Sequence, residues 1–360
     1  MITIVNLLQY IGFLYVVEKA VLFNPSSSPT PSSIPIQPKN DHPLTNIVLL
    51  GASGSVGRPI LSALLTLPTI TLTIVTRASS TATFPTAPNI RIQTLSDALT
   101  LAELTTAFTN QHAVVVALST SPVTTGTGTD SLAFRLIDAA RAAGVQRFIP
   151  SEFGANNLDP RARSLVPTYD IKGAMLEYLQ QTCTASNGAM SWTSICCGSW
   201  LDWALDPSKS GNFLGIDVKA RRATVWDSGE NRFAVTTSAN TGRAVARVLA
   251  QPEVARDRQV FLCDFLTCTN EIVGALEGVV GEPFVVEKRE SKELIKELRE
   301  RYDGGDSAAT FPILAMSFGA DVDVGYDFPK EQEVWNEKLG LPKVGLEDVV
   351  REAVELAARS

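Results

Sequence analysis

From residue 46 onward, short runs of β-branched and apolar residues alternate with amphipathic stretches, a pattern that predicts strands separated by helices. The strand-like runs are residues 46–50, 69–76, 89–93, 113–118, 147–150 and 191–195, and the helix-like stretches between them are 56–65, 95–108, 131–143 and 171–182. Strands that are continuously apolar, without polar alternation, are expected where helices cover both faces of a parallel sheet. The expected fold class is therefore α/β, built on a doubly wound parallel sheet. No internal repeat of fixed period is visible, which sets solenoids and propellers aside.

After about residue 200 the alternation loosens. A Trp/Gly/Pro-rich stretch at 200–213 and a polar turn at 227–231 precede helix-like segments at 239–250, 269–280, 288–302 and 346–359. This part reads as a smaller C-terminal α/β region covering a substrate over about 200–345, within one domain spanning 45–355. Residues 1–44 differ from the rest. Residues 1–17 are uncharged and apolar, Glu18-Lys19 interrupts them, and 24–45 has the Pro/Ser-rich composition of a linker. The first 23 residues lack the roughly 20 uninterrupted apolar positions of a spanning helix and the positive start of a secretory signal. A dispensable extension, a membrane-proximal anchor and a helix packed on the domain all remain open for them. The expected location is cytoplasmic, with membrane association only through residues 1–23.

The chain has 360 residues, 45% of them apolar, enough for a sizeable core. Its 31 basic and 38 acidic residues give a net charge of -7, and no basic run exceeds Arg221-Arg222, which argues against nucleic acid as a partner. With only His42 and His112 present, a Ser-His-Asp triad or multi-histidine metal site has almost nothing to be built from, and no metal is expected. His112, with no acid or thiol flanking it, reads as structural. The five cysteines form no C-x-x-C pair and suit buried free thiols.

The strongest chemical signal follows the first strand: Gly51-Ala52-Ser53-Gly54-Ser55-Val56-Gly57, a glycine-rich turn that opens a helix. Glycines allow close approach of backbone to ligand, and the free N–H groups and positive dipole of a helix N-terminus suit a pyrophosphate. The spacing is G-x-x-G-x-x-G, yet its strand-turn-helix context is that of a Rossmann-type dinucleotide site. At the end of the second strand stands Arg77, where NAD-selective folds carry an acid. An arginine there pairs with a 2′-phosphate, pointing to NADP, unless it is an ordinary solvated side chain. Ser79 and Ser80 could add hydroxyl contacts. Ser119 and Thr120, at the end of the fourth strand, suit either a cofactor contact or an ordinary Ser/Thr loop.

Gly51-x-x-Gly54-x-x-Gly57, Arg77 and, above all, Phe148-Ile-Pro-Ser151-Glu-Phe153-Gly154 resemble the isoflavone reductase-like branch of the NmrA-like proteins, atypical short-chain dehydrogenases. The resemblance extends over roughly residues 45–355, with Asn270-Glu271-Ile272 also matching. It implies NADPH as hydride donor and a catalytic lysine on the helix after the Pro-Ser-Glu-Phe-Gly strand, which here is Lys172. A partly desolvated lysine beside a cationic nicotinamide would have a lowered pKa and could exchange a proton near neutral pH. Tyr169 precedes Lys172 by three residues, whereas the ordinary short-chain dehydrogenase motif uses four, and one residue rotates a side chain by about 100° on a helix. Tyr169 is therefore a substrate-lining or structural residue as readily as a catalytic one. Phe153, Trp192, Trp200, Trp203 and Phe213 either wall an apolar pocket over the nicotinamide, with Phe153 against the cofactor and Trp200 against the substrate, or belong to the core. Two departures from the plant reductases weaken any transfer of substrate: 77–90 contains no lysine for a second phosphate contact, and Arg161 and Arg163 lie between Gly154 and Lys172. The expected function is NADPH-dependent reduction of a small aromatic or conjugated, phenylpropanoid-like substrate by a monomer or homodimer. The alternatives are a non-catalytic NADP(H) sensor of the NmrA type and a membrane-tethered oxidoreductase.

Overall fold

Within β1 (Asn46–Leu50), Ile47 and Leu49 enter one hydrophobic cluster while Val48 and Leu50 enter another, because successive side chains of a strand point to opposite faces. All four are buried, and each burial stabilises the fold by about 1.5–3 kcal/mol. The computed structural model describes residues 43–120, 123, 131–210 and 212–359. The expectations for the apolar segment 1–23, and for nearly all of the linker after it, lie outside these residues.

The elements that follow are α1 (Gly57–Leu64), β2 (Thr71–Arg77), β3 (Ile90–Leu95), α2 (Leu101–Phe108), β4 (Ala113–Val116), α3 (Leu132–Ala142), β5 (Arg147–Ile149), α4 (Pro160–Leu165), α5 (Pro167–Ala185) and β6 (Ser191–Cys196). Then come α6 (Leu201–Ala204), β7 (Ile216–Asp217), β8 (Arg222–Trp226), β9 (Phe233–Val235), α7 (Ser238–Ala250), β10 (Arg258–Phe261), β11 (Phe265–Thr267) and α8 (Thr269–Val280). The chain closes with β12 (Val285–Arg289), α9 (Lys292–Asp303), α10 (Thr310–Gly319), α11 (Phe328–Glu331) and α12 (Leu346–Arg359).

Among the described residues, seven strands pair in parallel in the order β10-β6-β5-β4-β1-β2-β3. The order reverses between β1 and β4, and ligands of such sheets sit outside the carboxyl ends of the strands at this switch point. Helices α1 and α7 cover one face, and α2, α3 and α5 the other. Two small sheets, β11-β9 and β12-β8-β7, and helices α8, α9, α10 and α12 build a further hydrophobic cluster in the C-terminal part. No helix among the described residues is long and apolar enough to cross a membrane.

The doubly wound architecture read from the sequence is the one observed, with local corrections. Helix α2 starts at Leu101, not at 95, because Leu95 still belongs to β3 and a capping box stops the helix from extending backwards. Thr100 Oγ1 accepts from Glu103 N, and the Glu103 carboxylate accepts from Thr100 N at 3.0 Å. Hydrogen bonds from Thr100 and Ser96 hold that exposed carboxyl down at about 2. Helix α5 starts earlier than expected, since Pro167 occupies its first turn, where a missing N–H costs nothing. Lys288 and Arg289, read as helical, instead end β12. β10 and α10 were not anticipated. Arg147 explains how β10 joins the edge: its buried guanidinium bonds Ser191 and Thr193 of β6 and the Pro252 carbonyl before β10. Burial pushes that guanidinium down to about 10.

Where α1 meets α7, a Cβ on Gly242 would overlap the Pro59 carbonyl. Gly242→Ala is therefore expected to lower stability in chemical denaturation by about 1–3 kcal/mol, as overpacking does, outweighing the roughly 1 kcal/mol of helix propensity alanine adds. An unchanged or raised midpoint would show that the two helices can separate at no cost.

Candidate active site

The loop after β1 is shaped by its own backbone: Gly54 N donates to the Gly51 carbonyl at 3.0 Å, and Arg58 N to the Gly54 carbonyl at 3.0 Å. Gly51 lies at φ +80°, and a Cβ there would overlap the Ala117 carbonyl that follows β4. The β1 and β4 loops thus meet backbone to backbone at the switch point, a closeness only glycine permits. A Cβ on Gly57 would likewise overlap the Gly51 carbonyl. No side chain caps the N-terminus of α1; Arg58 N is taken by the Gly54 carbonyl and Pro59 has no N–H, so the donors left for an anion are the backbone N–H groups of Ser55 to Gly57 that lead into the helix beside the exposed Ser53-Gly54-Ser55 turn. These features fit a dinucleotide pyrophosphate. Ala52, Val56 and Gly57 are buried behind the loop and shape it.

On the β2 side lies a cavity of about 650 Å³ lined by Gly51 to Gly54, Arg77, Ser80, Asp97, Ser119 and Arg135. Arg77 ends β2 with its side chain exposed at the wall of this cavity. Ser79 departs from its anticipated role, since its hydroxyl and N–H both donate to Asp97 Oδ1, at 2.6 and 3.1 Å. Those bonds, with a smaller contribution from Arg77, hold the Asp97 carboxyl below the usual carboxylate range. Arg135, from α3, is the second cation of this cavity, and its buried Nε has no hydrogen-bond partner. Neither Asp97 nor Arg135 was singled out by the sequence. Asp97 could have been, because it follows the end of β3 on the ligand side of the sheet, beside the β2 end where Arg77 stands.

On the β4 side a second cavity, of about 460 Å³, shares Gly54, Ala117, Leu118 and Ser119 with the first. Lys172, Tyr169, Thr120, Phe153 and Trp200 line it. Lys172 is buried on α5, and its Nζ donates to the Glu152 carbonyl at 3.0 Å. Burial pulls the Lys172 ammonium below the ordinary lysine value, while the Glu152 carboxylate opposes that shift. Glu152 is itself fully enclosed; burial raises its carboxyl, against the lowering effects of Lys172 and of the hydrogen bond from Asn157 Nδ2 at 2.6 Å. The sequence motif contained Glu152 without giving it a role, because nothing in one dimension shows that it turns inward beside Lys172. Phe153 is held at φ +39°, an unusual conformation for a bulky residue, which sets the strand end against the cavity.

Tyr169 reaches the cavity, yet its hydroxyl is bonded to that of Tyr326 at 2.7 Å, which in turn bonds Ser317 Oγ at 2.7 Å. Burial raises the Tyr169 phenol well above its ordinary value. Trp203 and Phe213 also line the cavity, their ring centroids 5.4 Å apart, whereas Trp192 belongs to the core on the other face of the sheet. The aromatic wall is completed by Phe311 and Phe318 of the unanticipated α10. Arg161 and Arg163 take no part in lining. The first pairs with Asp159, Asp323 and Glu331, the second with Asp170 and Glu177. His112 ties the amino ends of the central strands β1 and β4 together, its Nδ1 accepting from Thr45 N and Asn46 N. All five cysteines are unpaired, Cys263 half-buried and the others buried. Among the described residues no group of three His, Cys, Asp or Glu could hold a metal ion.

A family model described as NAD(P)H-binding matches residues 51–222. Oxidoreductase aprR of Aspergillus flavus is 31% identical over 305 residues, covering 84% of this chain and 97% of that protein. The crystal structure of an isoflavone reductase superposes with a TM-score of 0.63 at 16% identity, over 86% of this chain and 99% of the other. NADPH-dependent quinone oxidoreductase QOR2 of Escherichia coli, crystallised with NADPH, gives a TM-score of 0.60 at 17% identity, over 85% and 99%. The glycine cradle at the switch point, the NAD(P)H-binding match across it and a relative aligned over nearly its whole length agree: the chain belongs to the oxidoreductase family of aprR, with an NAD(P)H-binding domain and an isoflavone reductase-like fold.

Proposed function

We propose that the chain is an NADPH-dependent reductase of a flat aromatic or conjugated, phenylpropanoid-like substrate, with Lys172 as general acid/base. The observation that carries this reading is a buried lysine in an aromatic cavity that shares its wall with the glycine cradle. Residues 45–355 act as one NAD(P)-binding domain in this reading, with about 200–345 covering the substrate.

Gly51 to Gly57 would hold the pyrophosphate, Arg77 the 2′-phosphate, and Ser119, Thr120 and Phe153 the nicotinamide end. Bound NADPH supplies a hydride. Lys172, oriented by the Glu152 carbonyl, delivers a proton from Nζ to the anion that hydride addition leaves on the substrate. Trp200, whose Nε1 donates to Thr241 Oγ1 at 3.1 Å, presents a fixed ring to the substrate, as does Tyr169. The enclosing rings exclude water and favour planar apolar ligands.

A screen of NADPH oxidation over conjugated aromatic aldehydes, ketones and quinones tests this function. Turnover on members of the panel is expected. Tight NADPH binding without oxidation of any of them would favour the sensor. For the coenzyme, Arg77→Gln is expected to weaken NADPH by about tenfold or more, the loss of a charge-assisted contact, with NADH unaffected. Equal loss for both coenzymes would remove Arg77 from 2′-phosphate recognition.

A further inference from the structure

Between α1 and α7 the surface opens into a groove of about 1100 Å³ lined by Arg58, Lys209, Arg243 and Arg247. Four cations around one groove run against the chain's net charge of -7. Asp202 is the lone carboxylate of this lining among the described residues; it accepts from Ser238 N at 3.0 Å, and burial raises its carboxyl. Lys209 is paired with Asp206 at 2.8 Å. Arg58 Nε donates to the Ser53 carbonyl and Arg243 Nη1 to Asn240 Oδ1, each at 2.9 Å, and among the described residues neither they nor Arg247 enter a salt bridge. Three guanidiniums therefore keep most of their donors for an anion.

Gly54, Ser55 and Trp203 line this groove and also the aromatic cavity that holds Lys172. A ligand seated in the cavity can extend past Trp203 into the basic groove. We propose that the groove binds an anionic tail of the substrate, a carboxylate or phosphate ester, so that the substrate is a conjugated aromatic head joined to an anion. The proposal rests on the reading of the aromatic cavity as the substrate site. The cofactor's pyrophosphate is the other source of the same chemistry, since Ser53 to Ser55 border the groove.

The test uses the full chain saturated with NADP⁺ and titrates it, by calorimetry, with two probes: an aryl enone bearing a flexible tail that ends in a carboxylate, and its methyl ester. The acid is expected to bind wild type about tenfold more tightly than the ester, the size of one charge-assisted contact, and the gap to shrink as salt rises. In Arg243→Gln/Arg247→Gln the acid falls to the affinity of the ester, while the ester and NADPH bind as in wild type. Arg247→Glu, a surface charge reversal, makes the acid the weaker ligand. Equal affinity of acid and ester for wild type overturns the proposal. A loss of NADPH affinity in the double variant overturns it too, assigning the groove to the cofactor. Failure of both probes to bind a wild type that binds NADPH removes the substrate reading of the cavity itself.

Discussion

Lys172→Ala is expected to lower turnover at pH 7 by about 10²- to 10⁴-fold, the usual contribution of a positioned proton donor, while NADPH affinity is unchanged. The expectation rests on position. Lys172 is buried, reaches the cavity from the first turns of α5, and is anchored through one hydrogen bond to the Glu152 carbonyl. Tyr169 does not replace it, since its hydroxyl is engaged by Tyr326 and its phenol is raised by burial, and among the described residues no histidine lines the wall. Truncation also leaves the Glu152 carbonyl without that donor, a loss of about 1–3 kcal/mol. Lys172→Met keeps most of the side-chain volume and separates the two effects. Both variants should lose turnover alike while Met keeps more of the thermal stability. Wild-type turnover in either would remove the lysine from the chemistry.

Gly57→Ala is expected to weaken NADPH by about 100-fold or more, the loss of two charge-assisted hydrogen bonds to a phosphate. The new Cβ would overlap the Gly51 carbonyl and come 3.0 Å from Ala52 Cα, and since both are backbone, the loop must open. The backbone N–H groups of Ser55 to Gly57, which lead into α1, then point away from the anion they would bind. Gly54→Ala is the internal control, because its Cβ would meet the Gly51 and Ala117 carbonyls at 3.3 and 3.7 Å, a contact small shifts can absorb. Direct titration with NADPH should rank wild type, Gly54→Ala and Gly57→Ala in falling affinity. Equal affinity for wild type and Gly57→Ala would contradict a pyrophosphate site on this loop.

The parallel sheet was legible because β1, β2 and β4 are short apolar or β-branched runs buried on both faces, and the glycine loop because its turn follows such a run directly. β10 was not legible: Arg258-Gln259-Val260-Phe261 has a polar start, and its place at the edge depends on β6 and on the distant Arg147. α10 escaped because Thr310–Gly319 is apolar nearly all round and shows no amphipathic period, yet it brings Phe311 and Phe318 to the cavity. Lys172 was found through the family resemblance, since spacing alone would have left it a solvated first-turn lysine. Glu152 and Arg135 acquire meaning only from what surrounds them in three dimensions. Trp192, in a strand that faces both sides, could not be assigned to core or cavity from sequence.

The pH dependence of turnover in wild type and Glu152→Gln tests the account most directly. A proton donor must be protonated, so turnover falls as pH rises through the Lys172 value, which burial places below the ordinary lysine value of 10.5. The Glu152 carboxylate favours the ammonium, so its removal lowers that value further. The account predicts an alkaline limb in wild type that moves to lower pH in Glu152→Gln and is absent from the residual activity of Lys172→Ala. A limb at the same pH in all three proteins would contradict it.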